Sequence, residues 1–200
     1  HLHVVPARVE VPGSKPRVTL DPGREINDSL DKGCVLLPSV ASIAGILSEP
    51  GDWYMAKIDL RRGFHHMIAS PCSRHRFIWK GDIFEFMRLP FGPRDGPAAF
   101  QRCTSAIGKF LKSIFQIRVA VYLDDFMFFC KDAIVDFGKI RESLRSFGCD
   151  INEEKSSSSW TRTVEMLGME FNVPSNRILL PQRKAATIIT SINTRGFSDT

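Results

Sequence analysis

Residues 117–130 read IRVAVYLDDFMFFC: two apolar, β-rich runs, 117–122 and 126–130, joined by Leu123, Asp124 and Asp125. Aromatic and β-branched residues at this density favour strands, and so short a join predicts an antiparallel hairpin. The turn is the unusual part. A tight hairpin turn prefers Asn-Gly or Asp-Gly, which reach positive φ easily. A single Asp in a turn is most simply a capping or solvated side chain, but two adjacent carboxylates between runs this apolar need a further reason.

Upstream, residues 97–114 form the clearest helix. Pro97 suits its first turn, and Phe100, Cys103, Ile107, Phe110, Leu111 and Ile114 recur at three- and four-residue steps, with Arg102, Lys109 and Lys112 on the other face. Downstream, a second helix runs from Asp132 as N-cap through Phe137, Ile140, Leu144 and Phe147 to a stop at Gly148. Residues 54–60 make a compact strand that carries Asp59 near its end. Residues 164–173 and 178–180 form a later hairpin around 174–177. The order is therefore strand, helix, strand, strand, helix, strand. That is an α+β, split βαβ arrangement, an antiparallel sheet with two helices on one face. In this topology Asp59 and the hairpin turn are neighbours, so three carboxylates converge at one end of the sheet.

Elsewhere the pattern is coarser. The first fifty residues are rich in Pro and Gly and read as small strands and turns around the apolar runs 18–20 and 34–37. Residues 77–79 and 83–87 flank Lys80-Gly81-Asp82, a hairpin by turn chemistry. The four serines 156–159 read as a loop, and residues 183–192 as the start of a third helix.

Three carboxylates a few ångströms apart repel, each pair by about 4 kcal/mol at 4 Å and an effective dielectric of 20. Such a cluster persists when cations neutralise it, and hard carboxylate oxygens select Mg²⁺ or Mn²⁺. Two such ions suit in-line attack of a hydroxyl on a phosphate.

Composition agrees without deciding. Two hundred residues, 43% hydrophobic, suffice for one domain with a real core, and a net charge of +5 suits a polyanionic partner. The five scattered cysteines form no CxxC pair, which argues against a disulfide framework or zinc site and for a reducing, intracellular setting, cytoplasm or nucleus. No stretch approaches the roughly 18 apolar residues of a membrane span, and no segment reads as a signal peptide. A chain beginning at His1 reads as a piece of a longer polyprotein.

Tyr122-Leu123-Asp124-Asp125 resembles the YxDD box of reverse transcriptases. Arg17, Asp21, Arg24 and Asn27 resemble the family's fingers motif, with one residue more than usual between Asp21 and Arg24. Lys57-Ile58-Asp59-Leu60 followed by Gly63-Phe64-His65 resembles motif A. Leu89-Pro90-Phe91-Gly92, with Gly96, Pro97, Phe100 and Gln101, resembles motif B. Gly148, Asn152 and Lys155 resemble motif D, and Leu167-Gly168 the primer-grip hairpin. Six boxes stand in the family's order over about residues 15–172, in detail nearest gypsy-type and DIRS-type retrotransposons.

The resemblance implies a polymerase palm with part of the fingers: fingers at 1–52, palm at 53–64, a fingers insertion at 65–90, palm with the primer-grip hairpin at 91–174, and the start of a thumb connection at 175–200. It implies an RNA-directed DNA polymerase that extends a primer on a template with dNTPs. Asp59, Asp124 and Asp125 would hold two Mg²⁺ ions, or Mn²⁺. Arg17 would contact the triphosphate, Phe91 and Gly92 would line the nucleotide pocket, and Phe64 would fill the space a ribose 2′-hydroxyl needs. Lys155 would donate a proton to pyrophosphate, Tyr122 would lie near the primer end, and Leu167 and Gly168 would hold the primer. The plain alternatives are core aromatics for Phe64 and Phe91, a solvated charge for Lys155, and surface or half-buried roles for His65 and His66. Pro93 and Gly96 stand where the family usually has Leu and Ala, and Gly63 where it has Ala.

Two rivals bracket this reading. A viral RNA-dependent RNA polymerase shares the palm, but its box usually begins with Gly and it carries a second Asp near the place of Phe64. A domesticated relic would bind nucleic acid without polymerising. The intact carboxylates speak against it.

Overall fold

The computed structural model describes residues 7–10, 17–30, 33–70 and 74–195. Within them the elements run β1 (Ala7–Glu10), β2 (Arg17–Leu20), α1 (Gly23–Ser29), α2 (Val40–Ser48), β3 (Trp53–Asp59), β4 (Arg76–Trp79), β5 (Asp82–Glu85), α3 (Gly96–Phe115), β6 (Arg118–Tyr122), β7 (Asp125–Lys131), α4 (Phe137–Ser146), β8 (Thr163–Met166), β9 (Met169–Asn172), β10 (Arg177–Leu179) and α5 (Gln182–Arg195).

The central sheet is antiparallel in the order β3-β7-β6. Its middle strand is buried on both faces, which explains the unbroken apolar run Phe126 to Cys130. Side chains alternate across a strand. Ala56, Ile58, Leu60, Phe126, Phe128 and Cys130 therefore pack on Phe100 and Leu111 of α3 and on Phe137, Ile140 and Leu144 of α4. The opposite set, Trp53, Met55, Met127 and Phe129, packs on Ile43 of α2 and on Met166 and Phe171 of the β10-β9-β8 sheet. Both helices of the split βαβ unit thus lie on one face, and the late hairpin covers the other.

The free edge of β3, where the fourth strand of a split βαβ unit belongs, has no regular partner. Among the described residues the isolated bridges Leu60–Ile151 and Met55–Thr161 form there, with further backbone bonds from Ser157 N–H to the Lys57 carbonyl and from Asn152 N–H to the Asp59 carbonyl. Between them serine hydroxyls stand in for strand carbonyls: Ser157 Oγ accepts from Lys57 N–H and Ser156 Oγ from Asp59 N–H, both at 3.0 Å. The serine run is an edge segment held by both hydroxyl and backbone bonds, and the expected last strand, 164–173, belongs to a separate sheet.

Other expectations shift in detail. Residues 164–173 are two strands, because Leu167 and Gly168 both adopt positive φ and fold the run back. The N-cap of α4 is Asp136, which accepts from Gly138 N–H, while Asp132 lies in a positive-φ turn. The first fifty residues contain two helices as well as strands. Helix α2 begins at a capping box in which Ser39 and Ser42 accept each other's backbone N–H. The run 34–37 is not a strand, and its Leu36 is 88% exposed. The 76–85 hairpin forms with Lys80 and Gly81 in its turn, both at positive φ.

Candidate active site

Strand register sets the acidic end. Asp59 pairs directly with Asp125, and Tyr122 pairs with Asp125 from the other side. Alternation places Lys57, Asp59, Tyr122 and Asp125 on the sheet face that the β8–β9 hairpin covers. Asp124 lies in the turn; its carbonyl accepts from Leu60 N–H at 2.9 Å, and its Cβ lies 3.1 Å from where a Gly63 Cβ would stand. A Cβ there would also come within 2.7 Å of the Phe100 ring. The glycine that departs from the family's usual Ala therefore has a packing reason.

The carboxyls sense one another. Burial, offset in part by a backbone hydrogen bond, pushes the Asp124 carboxyl up, and the charges of Asp125 and Asp59 add to this. Burial also pushes Asp125 up, against the pull of Lys57, whose Nζ sits 3.0 Å from Asp125 Oδ1. Asn152 Nδ2 donates to Asp59 Oδ1 at 2.9 Å. Among the described residues no three His, Cys, Asp or Glu side chains are gathered, as they stand, closely enough to share one ion. Asp59 and Asp125 face the cleft, whereas Asp124 sits in the turn beside Gly63.

The acidic turn is held from behind. Leu123 has φ 53°, a left-handed conformation that disfavours a branched side chain. Buried Gln101 of α3 secures it: its Oε1 accepts from Leu123 N–H at 2.6 Å, and its Nε2 donates to the Val121 carbonyl at 2.8 Å and to Ser105 Oγ at 3.0 Å. Gln101, Asn152 and Lys57 were legible only as members of motif strings. Their polarity, and a buried position on the helix face in the case of Gln101, was the available signal.

A cleft of about 920 Å³ opens beside the acidic end. Asp59, Tyr122, Asp125, Lys155, Leu167 and Gly168 all line it, so six of the expected site residues share one cavity. Lys184 and Arg183 of α5 also line it. Lys184 Nζ donates to the Gly168 carbonyl at 3.1 Å, and Arg183 is paired with Glu165 at 2.6 Å.

Phe64, Phe91 and Gly92 lie apart from that lining. The Phe64 ring packs against Phe91 and Phe100, with centroids 4.9 and 4.8 Å away. Phe91 bridges to Thr19, and its carbonyl accepts from Leu20 N–H at 2.8 Å, which ties β2 to the 91–92 loop. Gly92 has φ 118°, and a Cβ there would stand 1.8 Å from the Leu20 carbonyl oxygen. Arg17 belongs to β2, opposite Glu10, and its side chain lies outside the described residues. His65 and His66 are half-buried, and burial pushes both imidazoles down.

A family model described as "Reverse transcriptase (RNA-dependent DNA polymerase)" matches residues 8–171. The chain is similar to the "Retrovirus-related Pol polyprotein from transposon 297" of Drosophila melanogaster, 35% identical over 129 residues, which is 63% of this chain and 12% of that polyprotein. It is also similar to the "Retrovirus-related Pol polyprotein from transposon gypsy" of the same organism, 26% identical over 150 residues, 72% of this chain and 14% of the polyprotein. The foamy viral protease-reverse transcriptase solved in complex with RNA/DNA hybrid matches with a TM-score of 0.72 and 24% identity, over 98% of this chain and 25% of that one. At that identity the likeness is one of fold. The chain spans only a small part of these relatives. No described helix is long and apolar enough to cross a membrane.

Proposed function

Because the chain belongs to the reverse transcriptase family, whose model spans residues 8–171, we propose that it is the palm and partial fingers of a retroelement RNA-directed DNA polymerase. The observation that carries this reading is the single cleft shared by Asp59, Asp125, Tyr122, Lys155 and the Leu167-Gly168 turn. On this reading its partners are a primer-template and dNTPs. Residues 1–52 and 65–90 serve as fingers, 53–64 and 91–174 as palm, and 175–200 lead toward a thumb.

The donor set fits divalent metal. Asp59 and Asp125 turn hard carboxylate oxygens to the cleft, which favour Mg²⁺ or Mn²⁺, and the buried Asp125 Oδ1 already draws a cation, the Lys57 ammonium at 3.0 Å. Asp59, Asp124 and Asp125 would hold two ions. When bound, such ions supply charge neutralisation at the primer hydroxyl and at the phosphates. The chain's own residues do the rest. Asn152 orients the Asp59 carboxylate, and Gln101 fixes the turn that carries Asp124. The Leu167-Gly168 turn and Tyr122 seat the primer end across the cleft. Lys155, exposed at the cleft rim, is placed to donate a proton to departing pyrophosphate. Phe64, Phe91, Gly92 and Arg17 form the nucleotide side, with Phe64 excluding a 2′-hydroxyl.

Primer extension on RNA and DNA templates with dNTPs and Mg²⁺ tests the reading. Asp59→Asn and Asp124→Asn should each abolish extension while leaving the fold and primer-template binding nearly intact. Normal turnover in either variant would remove the assignment. Binding without extension by the unaltered chain would favour the relic reading instead.

A further inference from the structure

The cationic side chain inside the acidic site is unaccounted for by the roles above. Lys57 lies two residues before Asp59 on β3, so both point to the same face, and its Nζ lies 3.0 Å from Asp125 Oδ1. The pair is sheltered, with 20% and 23% of the two side chains exposed. The lysine backbone is pinned on both sides: its N–H donates to Ser157 Oγ at 3.0 Å, and its carbonyl accepts from Ser157 N–H at 2.8 Å. Lys57 also lines the same cleft as Asp59 and Asp125.

We propose that Lys57 is a built-in counter-ion, an ammonium that occupies the metal-facing oxygen of Asp125 until a divalent ion displaces it. The inference rests on the metal site assigned above. Carboxylates gathered in a partly dry pocket repel one another when uncompensated. A tethered ammonium is always available, and its four-carbon stem can swing aside without backbone movement. A divalent ion brings twice the charge to the same oxygens, so the ammonium and the metal compete for Asp125 Oδ1. Lys57 would then hold the site together before loading and raise the metal concentration needed for loading.

The test measures Mn²⁺ binding to the chain by the electron paramagnetic resonance of free Mn²⁺, together with Tm in chelator and in Mg²⁺. Lys57→Met keeps the length and apolar stem of the side chain and removes the charge. It should tighten Mn²⁺ binding by about tenfold. It should also lower Tm in chelator and enlarge the rise in Tm that Mg²⁺ produces. Lys57→Arg, which keeps the charge and guards against a variant that fails to fold, should leave Mn²⁺ affinity near that of the parent. In an Asp125→Asn background, Lys57→Met should have no effect on affinity. Unchanged or weaker Mn²⁺ binding in Lys57→Met, with parental binding still abolished by Asp59→Asn, would overturn the counter-ion role alone. Parental binding indifferent to Asp59→Asn would overturn the metal site itself.

Discussion

Asn152 grips Asp59 at both ends: its side-chain Nδ2 donates to Asp59 Oδ1 and its backbone N–H donates to the Asp59 carbonyl, each at 2.9 Å. One oxygen of the carboxylate is thereby fixed. The residue arrives there because α4 ends at Ser146 and the chain returns along the free edge of β3, bridging Ile151 to Leu60.

Asn152→Ala should therefore slow primer extension by about 10- to 100-fold, the usual effect of releasing a ligand's orienting partner. Primer-template affinity and Tm should change little. The metal concentration giving half-maximal rate should rise, and a metal titration of the rate checks it. An unchanged rate and an unchanged metal requirement would mean that Asp59 needs no orienting partner.

A second support can be removed from behind the turn. Gln101→Met keeps the volume but leaves Leu123 N–H and the Val121 carbonyl without their side-chain partner. A lost buried partner costs about 1–3 kcal/mol, which for a chain of this size is a fall in Tm of roughly 2–12 °C. Extension should fall as well, because Leu123 relaxes from its positive φ and carries Asp124 with it. Calorimetry paired with primer extension checks both effects.

What the sequence displayed best were features with a local period. The β6–β7 hairpin and α3 announce themselves through β-rich runs and three- and four-residue apolar steps, and their pairing follows from the shortness of the turn. The convergence of Asp59 with Asp125 followed from topology alone. The free edge of β3 was not legible, because four serines look like a loop whether or not their hydroxyls replace a strand's carbonyls. Nor was α2, whose start depends on a Ser39–Ser42 capping box inside a stretch otherwise rich in Pro and Gly. Lys57 was visible as a letter in a motif, but its ion pair with Asp125 spans two strands, and no spacing rule encodes that.

The carboxyls themselves make the metal-free fold sensitive to pH. The Asp124 carboxyl is pushed up from the ordinary 3.8, chiefly by burial and further by its acidic neighbours. The folded chain thus holds this proton more tightly than the unfolded chain does. As pH rises from the ordinary carboxylate range through the raised folded value, the unfolded state loses its proton first, so stability falls. In chelator, Asp124→Asn should raise Tm at neutral pH, and the gain should vanish below about pH 4 where both states are protonated. Thermal melts across pH check it. A gain that persists in acid would point to packing in place of charge.

Phe64 carries the sharpest test of the nucleotide side. Its ring is wedged between Phe91 and Phe100, with Gly96 close by; a Cβ on Gly96 would lie 3.6 Å from the ring. A ring so confined cannot turn away from a sugar placed beside it, which is what exclusion of a 2′-hydroxyl requires. Phe64→Ala opens that space. It should raise the ratio of kcat/KM for ribonucleotides over deoxyribonucleotides by at least about tenfold, the scale on which a pocket discriminates one small group. The same truncation removes two ring contacts, so dNTP turnover and Tm should both drop somewhat. Phe64→Leu keeps more of the packing and should give an intermediate ratio at near-normal stability. If the ratio stays fixed while Tm falls in both variants, Phe64 serves the helix-face core, and sugar choice must be made by another residue.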